Sequence, residues 1–402
     1  MKVVQFSLTA LAGAPIRVAN AVNLLQDISV RHVDLNRSQI FGADHVHVEN
    51  PELTLALCEE ADIIHFYNYV NLETRDFAPV DFKALQKKGK VFVQHFQSTP
   101  MLVAEHLGLD TRSVINYPLP KVVIAQYPER FFPNARVVPN IVPQDAADYL
   151  PPTGECFYDI LYAPSWDRSA WDYRWDTKGM PETLKMLENL KLRHGVKPKI
   201  VHQKSLAEVM EAKAKSRLVM DELVTGSYHL SALEGLSLGK PVLAYLDDRT
   251  EFVLRTISGA KTIPFVNVRL EDAKEVIPAL LREQSAVAEI GAESRRWIET
   301  YWRDRQLAEH FRSLYEDLME NPEKIVRQPE LEVSSGKSRF FSIQIQDAIC
   351  ASRKHDALAM IPWWKKCASS SAKWARAFIK KNAPDKVLNL LRDLKSKISQ
   401  KT

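Results

Sequence analysis

The chain is poor in cysteine and has no apolar run long enough to cross a bilayer. Its 402 residues carry four cysteines, Cys58, Cys156, Cys350 and Cys367, far apart and without a C-x-x-C pair. That scatter excludes a disulfide framework and a cysteine-based zinc site, and it fits a reducing cytoplasm. A membrane-spanning helix needs about 20 consecutive apolar residues, and no stretch supplies them. No internal repeat is visible, which excludes a solenoid or propeller. No nucleic-acid-binding motif is present.

What is there is uneven in charge. The net charge of +4 conceals a basic end: residues 336–402 hold 15 Lys and Arg against four acids, about +11, so the remainder is mildly acidic. The opening stretch, MKVVQFSLTALAGAPIRVAN, has the lysine, apolar run and small residues of a leader peptide. Gln5, Ser7 and Thr9 interrupt it at alternate positions, which is strand spacing, and Gly13 precedes an amphipathic stretch, Ile16 to Leu25. The better reading is a first strand, a glycine-containing loop and a first helix.

Strand and helix patterns then alternate. The first series of strands is read at 2–7, 30–35, 63–66, 91–95, 122–125 and 136–138, with helices at 16–25 and 53–60 among them. Residues 139–154, PNIVPQDAADYLPPTG, read as a linker. A second series follows, with strands at 159–163, 199–202, 218–220, 241–245 and 263–266 and helices from 181–194 to 285–300. Such alternation predicts α/β architecture: two Rossmann-like domains of parallel sheet and helices, at 1–140 and 155–300, facing a cleft. Residues 302–319 read as a helix, and 336–402 as a basic, amphipathic helical tail. Ligands of parallel sheets gather at the carboxyl ends of strands. His65 and His95 end two strands and so aim at one edge; His45 and His47 alternate with valines as on one face of a short strand.

The sharpest stretch is TGSYHLSALEGLSLGKPVLAYL, Thr225–Leu246. A polar loop enters an apolar helix with Glu234 at its middle; Gly239-Lys240-Pro241 breaks the chain, and a strand follows. The loop presents backbone N–H groups where a phosphate can sit, and the carboxylate suits a hydroxyl pair. Upstream, YAPSWDRSAWDYRWDTKG, Tyr162–Gly179, puts Arg168, Arg174 and Lys178 on a strand-to-helix loop, cations suited to a diphosphate. These two stretches resemble the GT-B glycosyltransferases of the family-4 type. There, two glutamates eight residues apart precede a Gly-x-Pro turn; Glu234 matches the second, and Gly226 stands at the first. Arg168 and Lys178-Gly179 resemble the family's Arg and Lys-Gly, with a longer spacer.

The resemblance covers roughly residues 2–319. It implies an acceptor-side domain at 1–140, a nucleotide-sugar domain at 155–300 and a closing helix at 301–333 that returns to the first domain. It implies catalytic roles for His95, Arg168 and Lys178, and donor binding by Gly13, Ser227, Tyr228, His229 and Glu234. His229 stands where the family more often has glycine, and it reads equally as a packed loop histidine; His95 reads equally as capping the core. No D-x-D pair occurs, so no metal and no cofactor are expected, with cations neutralising the leaving diphosphate instead.

The implied activity is metal-independent, retaining transfer of a sugar from a nucleoside-diphosphate donor to a membrane-linked glycan or glycolipid acceptor, in surface polysaccharide or lipopolysaccharide synthesis. Other readings are a sugar-nucleotide epimerase of the same fold and a non-catalytic membrane partner protein. In the tail, Trp363, Trp364 and Trp374 lie among lysines. That mixture suits an anionic membrane surface better than nucleic acid and implies a cytoplasmic, peripheral protein on the inner face of the cell membrane.

Overall fold

The computed structural model describes residues 1–326 apart from Gln39, 165–168 and 171–177. The sequence expectations for Arg168, for Arg174 and for the tail at 336–402 with its tryptophans therefore lie outside the described residues.

The described residues form two all-parallel sheets. The first contains β1 (Lys2–Ser7), β2 (Ser29–Asp34), β3 (His45–Val46), β4 (Ile63–Tyr67), β5 (Val91–Phe96), β6 (Lys121–Ile124) and β7 (Ala135–Val138), in spatial order β3-β2-β1-β4-β5-β6-β7. The second contains β8 (Tyr158–Tyr162), β9 (Pro198–Ile200), β10 (Ser216–Met220), β11 (Val242–Ala244) and β12 (Phe265–Asn267), in order β12-β11-β10-β8-β9. Each order reverses direction once, between β1 and β4 and between β8 and β10. A crevice opens at the carboxyl ends of the strands at such switch points.

Parallel strands are covered on both faces and so read as near-continuous buried runs. All five residues of β4 are buried. The alternation of Gln5 and Ser7 does mark a strand, β1, yet both side chains are fully buried. Local signals set the helices: Asn50 caps Pro51–Glu60 by accepting from Leu53 N at 2.9 Å, and Ser205 with Glu208 forms a capping box on Leu206–Ala214.

The short strand expected to carry both His45 and His47 stops at Val46, and His47–Glu49 is a 3-10 turn. The two rings converge instead on Thr54 Oγ1, at 2.9 and 3.0 Å. The long helix Gln284–Tyr301 breaks at Trp302, whose indole N–H donates to Asn140 O at 3.0 Å. Helix Asp304–Glu320 then packs on the first sheet, where Tyr315 Oη takes a hydrogen bond from Gln5 Nε2 at 3.2 Å and lies 2.9 Å from His65 Nδ1. Among the described residues no helix is long and apolar enough to cross a membrane.

Candidate functional site

A cleft of about 750 Å³ lies between the carboxyl ends of the two sheets. The segments that leave the strands at both switch points line it: Thr9, Leu11, Ala12 and Ala14 after β1, Tyr69 after β4, Ala163 and Pro164 after β8, and Thr225 and Ser227 to Ser231 after β10.

On the first-domain side the loop after β1 is conformationally costly. Leu11, Ala12 and Gly13 have φ of 44°, 56° and 77°, in the left-handed region that side chains avoid at about 1–3 kcal/mol each. A Cβ at Gly13 would stand 2.7 Å from Cδ1 of Phe41, so glycine is needed there. Gly13 does not line the cleft itself. It turns the chain into helix Ala14–Val22, which starts at the cleft wall.

On the second-domain side, Lys178 precedes helix Met180–His194 and reaches the cleft with only 8 % of its side chain exposed. Its Nζ donates to Asp221 Oδ1 at 2.7 Å. Asp221 and Glu222 follow β10 directly, and both are fully buried. Glu222 shapes the next turn by accepting from Val224 N, Thr225 N, Thr225 Oγ1 and Ser227 N at 2.7 to 3.0 Å. Burial holds its carboxyl above the usual range despite those donors. Asp221 receives His229 N at 2.6 Å. Burial would raise its pKa, but Lys178 and His229 outweigh burial and hold it well below the ordinary carboxylate value.

Helix Leu230–Ser237 begins at His229 with no side-chain cap, and its first residues line the cleft. The first N–H groups of a helix have no intrahelical acceptor, and the helix dipole adds about half a positive charge there. Small anions bind such ends. The His229 side chain is 44 % exposed. Ser227 Oγ accepts from Tyr127 N at 2.9 Å, and Tyr228 Oη donates to Ala125 O at 2.7 Å. Both side chains therefore tie the loop to the first sheet as well as lining the cleft.

Glu234 lines the cleft too, 5 % exposed. Arg17 Nη2 donates to its Oε1 at 2.8 Å, and Lys213 Nζ donates to its Oε2. Arg17 also donates to Tyr149 Oη at 2.8 Å. Burial opposes the charge, but Lys213 and Arg17 keep Glu234 below the ordinary glutamate range. Two carboxylate oxygens hold about four lone-pair sites, so each can still accept once from a ligand.

The expectation that His95 faces the cleft is corrected. His95 is fully buried and absent from the cleft wall. It lies on the face of β5 that helix Asp304–Glu320 covers, 3.1 Å from His65 Nε2 through its Nδ1 and within 6.2 Å, ring to ring, of Phe311. Burial pushes His65 down to about 3 and His95 well below its ordinary value. Neither ring is poised to exchange protons near neutrality. The residues beyond the strand end, Gln97, Ser98 and Thr99, reach the cleft instead.

Sequence reasoning thus missed Arg17, Lys213, Asp221 and Glu222. Arg17 left a trace as a cation within an otherwise apolar helix face. Asp221 and Glu222 lie upstream of Gly226, out of register with the glutamate spacing of the resembled motif, and nothing local marks them as loop organisers.

No family model matches the chain, and no curated protein matches it in sequence. Solved structures do match in shape. HepE from Anabaena, in complex with UDP and glucose, superposes with a TM-score of 0.52 at 11% identity, covering 79% of this chain and 100% of that one. An alpha-glucosyltransferase in complex with UDP and a 13-mer DNA superposes with a TM-score of 0.51 at 9% identity, covering 79% and 99%. At such identity the likeness is one of fold: the chain has a two-domain GT-B architecture.

Proposed function

We propose that the chain is a glycosyltransferase whose cleft takes a nucleoside-diphosphate sugar. The observation that carries this reading is the convergence of Lys178, His229 and the N-terminus of helix Leu230–Ser237 in one cleft, opposite the strained Leu11–Gly13 loop. A diphosphate is the ligand that such a wall of N–H groups and cations suits. The bound partners of HepE and of the alpha-glucosyltransferase make UDP the first nucleotide to try.

In transfer, the bond between the sugar's anomeric carbon and the diphosphate oxygen breaks, and its electron pair leaves with the diphosphate. The acceptor hydroxyl oxygen forms the new bond and passes its proton to the departing diphosphate oxygen. Charge builds on the departing diphosphate, and that is where fixed positive groups lower the barrier. Lys178 stands there in this reading. Glu234, held rigid by Arg17 and Lys213, accepts from the ribose hydroxyls. The acceptor enters along Gln97, Ser98 and Thr99. No metal is required. We assign the chain to the family-4 type, with retention of configuration and a membrane-linked glycan acceptor; the matching half of the motif, Glu234 with Gly239-Lys240-Pro241, supports the family type, and the basic tail supports the acceptor.

The test is a thermal-shift panel of UDP, GDP and ADP, followed by a transfer assay. A ligand at a hundred times its Kd stabilises by about 2.7 kcal/mol, readily seen as a rise in Tm. Lys178→Ala should then slow transfer by about a hundredfold or more. A chain that binds none of the three nucleotides is not such an enzyme.

A further inference from the structure

The diphosphate reading leaves Asp221 without a role, although a fully buried carboxylate in contact with two cleft-lining basic residues is costly unless it is paired. One oxygen of Asp221 receives Lys178 Nζ at 2.7 Å. The other receives His229 N at 2.6 Å and lies 3.3 Å from His229 Nδ1. Lys178 comes from the turn before helix Met180–His194, and His229 caps helix Leu230–Ser237. A single carboxylate thus sets the position of both side chains across the mouth of the subsite.

The charges around it matter. Lys178 and Asp221 cancel. Glu222 is buried behind the same turn, and the Glu234 cluster sets one carboxylate against two cations, Arg17 and Lys213, so it keeps a positive excess that is buried in the cleft wall. At the open mouth of the subsite, the partial charge of the helix end and whatever His229 carries add to this. Protonated, His229 supplies one full positive charge through a side chain that is open to the cleft.

We propose that Asp221 is a positioning residue that orients Lys178 and His229 as one anion subsite, and that this subsite takes the donor diphosphate most tightly when His229 is protonated. The inference rests on the reading of the cleft as a nucleotide-sugar site. Its direction is fixed: an imidazolium favours an anion, so affinity rises toward acid pH.

The probe is UDP-glucose, whose bridging diphosphate takes up no proton in the range used, or GDP-mannose should UDP-glucose not bind. Binding is measured calorimetrically between about pH 5 and 8 for the full chain, Asp221→Asn, His229→Gln and the double variant. The full chain should bind more tightly at the acid end, and His229→Gln should lose that dependence. Asp221→Asn should bind about tenfold more weakly, although removing a negative charge beside an anion would by itself tighten binding. The double variant should be no weaker than Asp221→Asn alone, because both act through one unit. Asp221→Asn binding as well as the full chain, or His229→Gln keeping the pH dependence, overturns the inference and leaves the glycosyltransferase reading standing. Should Asp221→Asn not fold, the His229→Gln profile decides alone. A full chain that binds neither nucleotide sugar overturns both.

Discussion

Arg17, on the first helix of the chain, places its Nη2 2.8 Å from Oε1 of Glu234, 217 residues later and across the cleft. Lys213 takes the other oxygen from within the second domain. All three side chains are at least nine-tenths buried, so the cluster is both a wall of the cleft and a clasp between the two sheets.

The clasp changes what removal of Glu234 does. Taking away the carboxylate leaves two buried cations unpaired, which costs about 3–5 kcal/mol. Glu234→Ala should therefore lower Tm markedly as well as weaken nucleotide binding. Replacing the cluster together, as Arg17→Met, Lys213→Met and Glu234→Leu, should recover much of the loss. Chemical denaturation of the single and triple variants checks this; a Glu234→Ala chain as stable as the parent would refute the buried clasp.

Gly226 stands where the resembled motif has its first glutamate, and the structure gives a reason. Its φ is 81°, and a Cβ there would lie 2.9 Å from Oδ2 of Asp247, which is paired with Arg130 at 2.6 Å. Restoring the motif by Gly226→Glu should cost about 2 kcal/mol or more through backbone strain and loss of that pair. An unchanged Tm together with faster transfer would show that the glutamate is tolerated after all.

Acid should destabilise the first sheet. Burial pushes His32 down to about 4 and His65 down to about 3 from 6.5, and holds His95 well below its ordinary value. As pH falls below 6.5 the unfolded chain takes up protons that the folded chain refuses, so stability is lost until the folded values are reached. The slope is about 1.4 kcal/mol per pH unit for each such histidine. Asp34, pushed up to about 6 by burial, works the other way by one proton, leaving a net loss. Urea midpoints at neutral and acid pH should show it, and His65→Gln should show a shallower fall. A flat profile in the parent chain counts against neutral, buried rings.

The tail prediction depends on where the chain is cut. Ile325 is fully buried, so a cut after Met319 would open the core, whereas a cut after Glu332 spares every described residue. The shorter chain should keep its Tm and its nucleotide binding and lose salt-sensitive binding to anionic vesicles. Co-sedimentation equal to that of the full chain would show that the tail is not the anchor.

Local chemistry made the elements legible. β1 at Lys2–Ser7 and helix Met180–His194 fall where apolar spacing places them, because periodicity acts within one turn or one strand. The strand-to-helix loop ending at Lys178 and the loop at Ser227–His229 were legible for the same reason. A strand's carboxyl end is where an α/β fold opens its crevice. What the sequence did not carry is which face of a strand meets which helix. His95 reads as a cleft residue until helix Asp304–Glu320 covers its face, and then Gln97 to Thr99 take that edge. Asp221 and Lys213 have no local pattern, and Arg17 shows only as a cation on an apolar helix face, since the worth of all three comes from partners brought close only by two sheets closing on one another. A buried charge persists only where tertiary contacts pair it, and that pairing is set by geometry over hundreds of residues rather than by any neighbour in the chain.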